Sequence, residues 1–300
     1  MSKTPEKRAF AEASNDAGGS ADRFGYEWAH YSHVLPESRM QLERWLGSMK
    51  LASFRDKRVL DVGCGMGRNP YWMATVGART ITCIDADQRC VEVTRGNLSG
   101  FAGITVTQAS VYELTPDDFG QFDRVTCIGV LMILEDPREA LRRMWECVAP
   151  GGDLVLWVYA KEGNRLLLPF INAFRSVGSR LPLPAVKTMA KVLTFVAVPA
   201  ARAIPIRTEY YRHLRRLSRK NVESIIFDQM IPRHAVYWSN AELKQLLSIL
   251  PTQPQIELVQ GNSWHVRLMK GTPVVEGVAD IAVATTASSK ETHISDDAVG

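Results

Sequence analysis

Residues 58–68 of the chain read RVLDVGCGMGR, and this stretch decides the fold. An apolar, strand-like run ends at Asp61-Val62, and glycines follow at positions 63, 65 and 67 before a helical pattern begins. Glycines in this arrangement permit a tight strand-to-helix turn and let a ligand approach the backbone closely. The dinucleotide fingerprint G-x-G-x-x-G would require a glycine at position 68, where this chain has Arg68. The loop therefore predicts a ligand site, and its spacing disfavours a nicotinamide cofactor.

The pattern around this loop alternates between strands and helices. Short β-branched runs at 58–62, 80–84, 104–108, 124–128 and 153–159 are separated by helical patterns at 36–50, 68–76, 87–98 and 137–149. Such alternation is typical of a parallel sheet covered on both faces. A last helix starts at Ser239 with a capping box to Glu242, and runs at 256–260 and 265–269 predict a closing hairpin. We therefore predict an α/β fold: a Rossmann-like, doubly wound, mostly parallel seven-stranded sheet with a helical insertion after strand 5.

The chain divides into five predicted parts. They are a disordered lead at 1–22, a core at 23–160, a helical basic insertion at 161–235, the last helix and hairpin at 236–270, and a flexible tail at 271–300. The insertion holds 14 Lys and Arg against 4 Asp and Glu, a surplus of +10, whereas the rest of the chain holds 22 against 28. One segment therefore carries all of the basic excess, and we predict that it forms a lid over the substrate.

Composition narrows the class of protein. The chain has 300 residues, of which 46% are hydrophobic and 23% charged, which excludes disordered, collagen-like and disulfide-scaffold chains. The net charge of +4 is too small to indicate nucleic acid by itself. Five cysteines form neither a CxxC pair nor a zinc-like spacing, so we expect no metal site and a reduced, cytoplasmic location. The N-terminal residues lack the apolar core of a signal peptide.

Five motifs occur in a fixed order after the loop begins: DVGCGMG at 61–67, CIDAD at 83–87, QASV at 108–111, FDRV at 122–125 with IGVL at 128–131, and VAPGG at 148–152. With these motifs the chain resembles the class I S-adenosylmethionine-dependent methyltransferases. The resemblance covers residues 55–160 well and 235–270 more loosely. It implies that the cofactor is S-adenosyl-L-methionine and that the protein is an enzyme.

The resemblance also implies a set of cofactor contacts. They are Asp61, Gly63, Cys64, Gly65, Gly67, Asp85, Ala86, Ser110, Val111 and Ile128. In this set, Asp61 would orient the methionine ammonium and Asp85 would hold both ribose hydroxyls, because a carboxylate accepts two hydrogen bonds at once. Ser110 stands where the family often has an acid, so its side chain departs from the pattern for adenine recognition. Trp28 and Tyr31, in an aromatic-rich segment before the core, are predicted to cover the cofactor and exclude water.

The acceptor is less well defined by the sequence. We expect in-line methyl transfer to a small-molecule or lipid-linked acceptor, with most of the rate supplied by proximity and alignment. His234 and Tyr237 are candidate catalytic residues, because the segment PRHAVYW at 232–238 rejoins the core where substrates of this family often bind. Strand four is followed by IGVLMIL rather than an Asn/Asp-Pro-Pro-aromatic run, which disfavours methylation of nucleobase nitrogens.

Alternatives for the basic insertion remain open at this point. Residues 181–220 combine an apolar stretch with a basic amphipathic helix at 207–220, a pattern suited to peripheral contact with an anionic membrane surface. The longest uncharged stretch there, 192–201, is well below the ~20 residues that span a bilayer. An RNA methyltransferase using the basic insertion is one alternative, although nucleic acid is disfavoured. A non-catalytic methyltransferase-like binding domain is the other.

Overall fold

The computed structural model describes residues 20–165, 168–203 and 218–272, and these form a seven-stranded sheet with helices on its faces. The strand order is β3-β2-β1-β4-β5-β7-β6, in which β1 to β5 are parallel and β7 runs antiparallel to both β5 and β6. The predicted fold class is confirmed: the chain is α/β, doubly wound, and mostly parallel with one antiparallel hairpin at the edge.

The bounds of the elements are as follows. The strands are β1 (Arg58–Val62), β2 (Thr80–Asp85), β3 (Ile104–Gln108), β4 (Phe122–Ile128), β5 (Val148–Tyr159), β6 (Gln255–Val259) and β7 (Ser263–Met269). The helices are α1 (Ser20–His30), α2 (Glu37–Trp45), α3 (Arg68–Thr75), α4 (Gln88–Leu98), α5 (Pro116–Phe119), α6 (Pro137–Glu146), α7 (Leu168–Gly178), α8 (Leu183–Ala203), α9 (Arg219–Met230) and α10 (Asn240–Leu247). Short 3-10 turns lie at 51–54, 111–113 and 131–133.

The sheet reverses its direction of growth between β1 and β4. From β1 the chain proceeds outward through β2 and β3, then returns to the other side of β1 and continues through β4 and β5. The carboxyl ends of β1 and β4 therefore diverge into separate loops, which leaves a crevice between them. In open α/β sheets this switch point is where ligands bind.

Local signals explain where several helices begin and end. Asp87 caps α4 by accepting a hydrogen bond from the backbone of Arg89, and Ser239 and Glu242 form the predicted capping box of α10. The helix predicted over 36–50 is too long, because α2 ends at Trp45. Gly47 follows with a φ of 58°, the left-handed conformation that commonly terminates a helix.

The N-terminal helix and the insertion pack together. Tyr31, Val186, Ala190, Phe227 and Met230 belong to a buried apolar cluster separate from the core of the sheet. The buried Arg23 guanidinium donates hydrogen bonds to the carbonyl oxygens of Ile231, at 2.7 Å, and Gly178, at 2.8 Å. These contacts fix α1 against α7 and α9.

The predicted disordered lead at 1–22 is wrong at its end. Ser20 to Asp22 form the first turn of α1, and the Asp22 carboxylate pairs with Arg89 at 2.8 Å. Residues 1–19, most of the predicted basic helix at 207–220, and the tail beyond residue 272 lie outside the described residues. None of the helices within the described ranges combines the length and apolarity needed to cross a membrane.

Candidate functional site

A cavity of about 200 Å³ opens at the switch point of the sheet. Its floor comes from the carboxyl ends of β1, β2, β4 and β5, and helices α1, α2 and α9 contribute the remaining walls. Nine of the residues predicted to bind the cofactor line it: Trp28, Gly63, Cys64, Gly65, Asp85, Ala86, Ser110, Val111 and Ile128. The loop motif and the strand ends are therefore brought to one place by the topology.

Asp85 is the carboxylate at the end of β2, and each of its oxygens accepts one backbone hydrogen bond. Oδ2 accepts from the amide of Gly65 at 2.9 Å, and Oδ1 accepts from the amide of Asp87 at 3.0 Å. A carboxylate oxygen has a second lone pair, so both oxygens keep capacity for a ligand hydroxyl. Burial raises the Asp85 pKa to about 6, although the two backbone bonds act in the opposite direction.

Asp61 lies beneath the loop rather than in the cavity wall. It is buried at the end of β1, and its Oδ1 accepts a hydrogen bond from Thr126 Oγ1 at 2.7 Å. Its Oδ2 is buried and has no partner among the described residues. Burial raises the Asp61 pKa to about 6. An unpaired buried carboxylate oxygen is costly, so it marks a position suited to an ammonium group or a bridging water.

The glycines of the loop permit its backbone conformation and the close approach of neighbouring side chains. Gly63 and Gly65 have φ values of 71° and 57°, which side chains rarely adopt. A Cβ atom on Gly65 would lie 3.0 Å from the indole Nε1 of Trp28, and one on Gly63 would collide with Val130. Gly65 is therefore needed for the close approach of Trp28 from α1, and this contact places the Trp28 ring at the cavity.

Ser110 and its neighbours form the wall beyond β3. Ser110 caps the short turn at 111–113, because its Oγ accepts from the amide of Tyr112 while its own amide donates to Glu113 at 2.7 Å. The Ser110 hydroxyl and the Glu113 carboxylate, which could otherwise bind a ligand, therefore accept hydrogen bonds from backbone amides of the turn. Ser110 and Val111 line the cavity, so this wall offers a ligand no carboxylate from either residue.

Two other predicted cofactor contacts do not line the cavity. Gly67 has a φ of 82° at the start of α3 and lies beside Thr94, where it permits the turn. Tyr31 follows the end of α1 at His30, and its hydroxyl donates to Glu223 at 2.7 Å. Tyr31 does not line this cavity, whereas Trp28 does, so the cover formed by Tyr31 stays a prediction.

The two candidate catalytic residues also lie outside this cavity. His234 is exposed in the segment after α9. Tyr237 is buried and stacks on Tyr159, with ring centroids 4.9 Å apart, and it is Tyr159 that reaches the cavity. Tyr237 can therefore support the wall, but it does not line the cavity.

The polar side chains on the other side of the cavity are not evident from the sequence motifs. They are Glu27, Arg68, Tyr159, Ser224 and Asp228, and the rings of Trp45 and Trp157 lie beside them. The Arg68 guanidinium lies 5.0 Å from the ring centroids of both Trp28 and Trp45, so the two indoles hold it by cation–π contact. Trp157 Nε1 is buried and has no partner within the described part of the chain.

Two acids in this group have raised pKa values. Glu27 is fully buried, and burial together with the nearby charge of Asp228 raises its pKa well above the usual range. Its Oε1 accepts a hydrogen bond from Ser224 Oγ at 3.0 Å, and its Oε2 has no partner among described residues. Burial raises the Asp228 pKa to about 6, against the lowering effect of Arg68 and Arg175.

A sequence signal for one of these residues does exist. Asp228 is one of only four acidic residues in the basic insertion, which makes it unusual there. Glu27 and Ser224 carry no such signal, because they meet only through the packing of α1 on α9.

Comparison with known proteins indicates the class of protein to which this chain is similar. Residues 60–156 match a family described as "Methyltransferase domain". A ubiquinone biosynthesis O-methyltransferase of Bordetella avium is 35% identical over 142 residues, which are 47% of this chain and 55% of that protein. The alignments thus span about half the length of this relative and of similar enzymes from Escherichia.

Solved structures support the fold. The DhpI complex with S-adenosylhomocysteine matches with a TM-score of 0.53 at 14% identity, over 84% of this chain and 95% of that one. An O-methyltransferase family protein from Burkholderia thailandensis matches with a TM-score of 0.52 at 9% identity, over 79% and 57% of the two chains. The fold is therefore that of a methyltransferase domain. Residues 60–156 are thus similar to a methyltransferase domain, and the fold is similar to that of S-adenosylmethionine-dependent methyltransferases.

Proposed function

We propose that the protein transfers a methyl group from S-adenosylmethionine to a small-molecule or lipid-linked acceptor. The observation that carries this proposal is the pair of carboxylates at the ends of β1 and β2. Asp85 lines the cavity with acceptor capacity left on both oxygens, and Asp61 has a buried oxygen without a partner in the described ranges. Such a pair fits a ligand that brings two hydroxyls and an ammonium.

The residues present suit each part of this cofactor. Asp85 would hold the ribose hydroxyls, Asp61 would orient the ammonium directly or through water, and Val111 and Ile128 would contact the adenine. The cofactor supplies a methyl group on a sulfonium, which is already a reactive electrophile. The protein's contribution is to align the acceptor and exclude water, and the indoles of Trp28 and Trp157 beside the cavity suit that task.

The experiment that tests the function is calorimetric titration of the protein with S-adenosylmethionine and with S-adenosylhomocysteine. We expect micromolar binding of both compounds. Absence of binding by either would contradict the proposal and favour a binding domain that has lost its cofactor. If both compounds bind, candidate acceptors would be screened by release of S-adenosylhomocysteine, with extracted lipids included alongside phenols and amines.

Cofactor affinity should depend on pH with a definite sign. The pKa values of Asp61 and Asp85 are both raised to about 6 by burial, and the bound ligand favours their charged forms. The dissociation constant for S-adenosylhomocysteine should therefore rise about ten- to a hundredfold between pH 7.5 and pH 5. Titrations at these two pH values check this. Asp61→Asn should remove part of the dependence, and a flat profile for the unaltered protein would contradict both assignments.

The insertion offers a surface that suits a lipid-linked acceptor. Phe170, Phe174 and Val177 are exposed on α7 at helical spacing, and Phe195 is 72% exposed on α8. Lys191 is exposed on the same helix α8. Exposed aromatic side chains with nearby cations favour the interface of an anionic membrane. The ubiquinone biosynthesis relative supports the same substrate class, since its name refers to a lipid-soluble product.

This surface predicts a result in vesicle flotation. The protein should be recovered with phosphatidylglycerol-containing vesicles and not with phosphatidylcholine alone. A triple variant, Phe170→Ser, Phe174→Ser and Phe195→Ser, should reduce recovery at least about fivefold, because each buried side chain contributes roughly 1.5–3 kcal/mol. The matched control replaces Met40, Leu258 and Met269, which are exposed elsewhere, with serine. Equal recovery of the two triple variants would end the membrane proposal.

A further inference from the structure

The cavity wall formed by α1 and α9 contains two acids for which cofactor binding gives no role. Glu27 comes from α1 and Asp228 from α9, and both line the same cavity as the cofactor loop. We propose that Asp228 is the base that takes a proton from the acceptor, and hence that the acceptor nucleophile carries an O–H or N–H group. This inference rests on the proposed function and deepens it.

The surroundings of Asp228 suit a group that must gain and lose a proton. The guanidinium of Arg68 on α3 and that of Arg175 on α7 face it and favour its charged form. Glu27 on α1 faces it as a second acid, and Tyr159 on β5 donates its hydroxyl to Oδ2 at 3.4 Å. Tyr237, after α9, completes the set of titratable neighbours. Burial opposes the cations, and the balance raises the Asp228 pKa to about 6, close to the pH at which a base works well.

A chain of hydrogen bonds with a defined direction ends at Asp228. The Tyr237 hydroxyl donates to Gln229 Oε1 at 3.1 Å, and Gln229 Nε2 donates to the Tyr159 oxygen at 2.8 Å. Because the carboxamide accepts at one end and donates at the other, the Tyr159 oxygen accepts a hydrogen bond from Gln229. Its own hydrogen then points to Asp228. Tyr159, Gln229 and Tyr237 are therefore positioning residues, which hold the carboxylate in one orientation.

Glu27 is the poorer base of the two acids. It is fully buried, and burial together with the charge of Asp228 raises its pKa, which favours the protonated form. A protonated carboxyl donates a hydrogen bond but cannot remove a proton. Glu27 therefore suits an orienting role toward the acceptor, while Asp228, flanked by two arginines, retains the charge.

The proton balance of the reaction is simple. A lone pair of the acceptor oxygen or nitrogen forms a bond to the methyl carbon, and the carbon–sulfur bond breaks with its electron pair returning to sulfur. The acceptor proton moves to Asp228, which releases it to solvent after the product leaves. The products are the methylated acceptor, S-adenosylhomocysteine and one proton.

The test needs no acceptor, because the two cofactor forms differ by one charge at the reacting sulfur. A carboxylate beside the sulfonium has its pKa lowered by S-adenosylmethionine but not by the neutral thioether of S-adenosylhomocysteine. Calorimetry in two buffers of different ionisation enthalpy measures the protons released. We expect S-adenosylmethionine to release about 0.3–0.5 proton more per site at pH 6, and no excess at pH 8. Asp61 and Asp85 face groups shared by both ligands, so their contribution cancels in the difference.

Variants assign this excess to a residue. Asp228→Asn should abolish it while S-adenosylhomocysteine still binds within about threefold of the unaltered protein. Tyr159→Phe should keep the excess but move its midpoint to higher pH, because the Tyr159 hydrogen bond lowers the Asp228 pKa. Glu223→Gln, on the same helix but paired with Tyr31, should change nothing. Equal proton release by the two ligands, or an excess that survives in Asp228→Asn, would overturn the inference. Failure of both ligands to bind would instead overturn the proposed function.

Discussion

Replacing Asp85 with asparagine should weaken the binding of S-adenosylhomocysteine by about 2–4 kcal/mol, which corresponds to roughly 30- to 1000-fold in the dissociation constant. The loss has two sources. Asparagine has only one acceptor oxygen, so it cannot take hydrogen bonds from two ribose hydroxyls. Its amide group would also face the backbone N–H of Gly65 or of Asp87, which now donate to the two carboxylate oxygens. Isothermal titration at pH 7.5 measures the effect.

The matched control is Asp87→Asn, two residues further on. Asp87 caps α4 and pairs with Arg89, and it is not part of the cavity wall within the described residues. Asparagine is as good a helix cap as aspartate, so this variant should fold and bind within about threefold of the unaltered protein. An unchanged affinity in Asp85→Asn, or an equal loss in both variants, would remove the ribose assignment.

Asp153→Ala should lower the free energy of unfolding by about 3–5 kcal/mol, the largest effect on stability that we expect. Asp153 is buried in β5 and accepts from Arg124 Nε at 2.6 Å, from Arg124 Nη2 at 2.8 Å and from Arg267 Nε at 2.7 Å. It therefore joins β4, β5 and β7. Removing the carboxylate leaves the Arg124 charge buried without its counterion. Urea unfolding followed by tryptophan fluorescence measures the change.

Asp123→Ala provides the comparison for this ion pair. Asp123 pairs with Arg58 at 2.9 Å, but its side chain is 27% exposed and that of Arg58 is 45% exposed. Water and salt screen such a pair, so the variant should cost about 1 kcal/mol or less. If both variants lost a similar free energy of unfolding, burial would not explain how much the Asp153 network stabilises the protein.

The parts of the site that the sequence predicted are those encoded locally. The loop glycines and Asp85 lie within one strand-turn-helix unit and the strand that follows, so their spacing is enough to bring them together. Glu27 and Asp228, the acids on the other side of the cavity, come from α1 and α9, about 200 residues apart, and their approach depends on packing that no spacing reveals. The position of Tyr31 has the same origin, because its ring belongs to the apolar cluster that α1 forms with the insertion.

Arg23 joins the first helix to the insertion. Its hydrogen bonds to the carbonyl oxygens of Gly178 and Ile231 connect the two segments directly, so we expect them to move as one unit. A substitution that shifts one of these segments is therefore expected to shift the other. Variant libraries intended to change the acceptor should therefore diversify residues 20–31 and 219–231 together. Variation of one segment alone would disrupt its packing against the other.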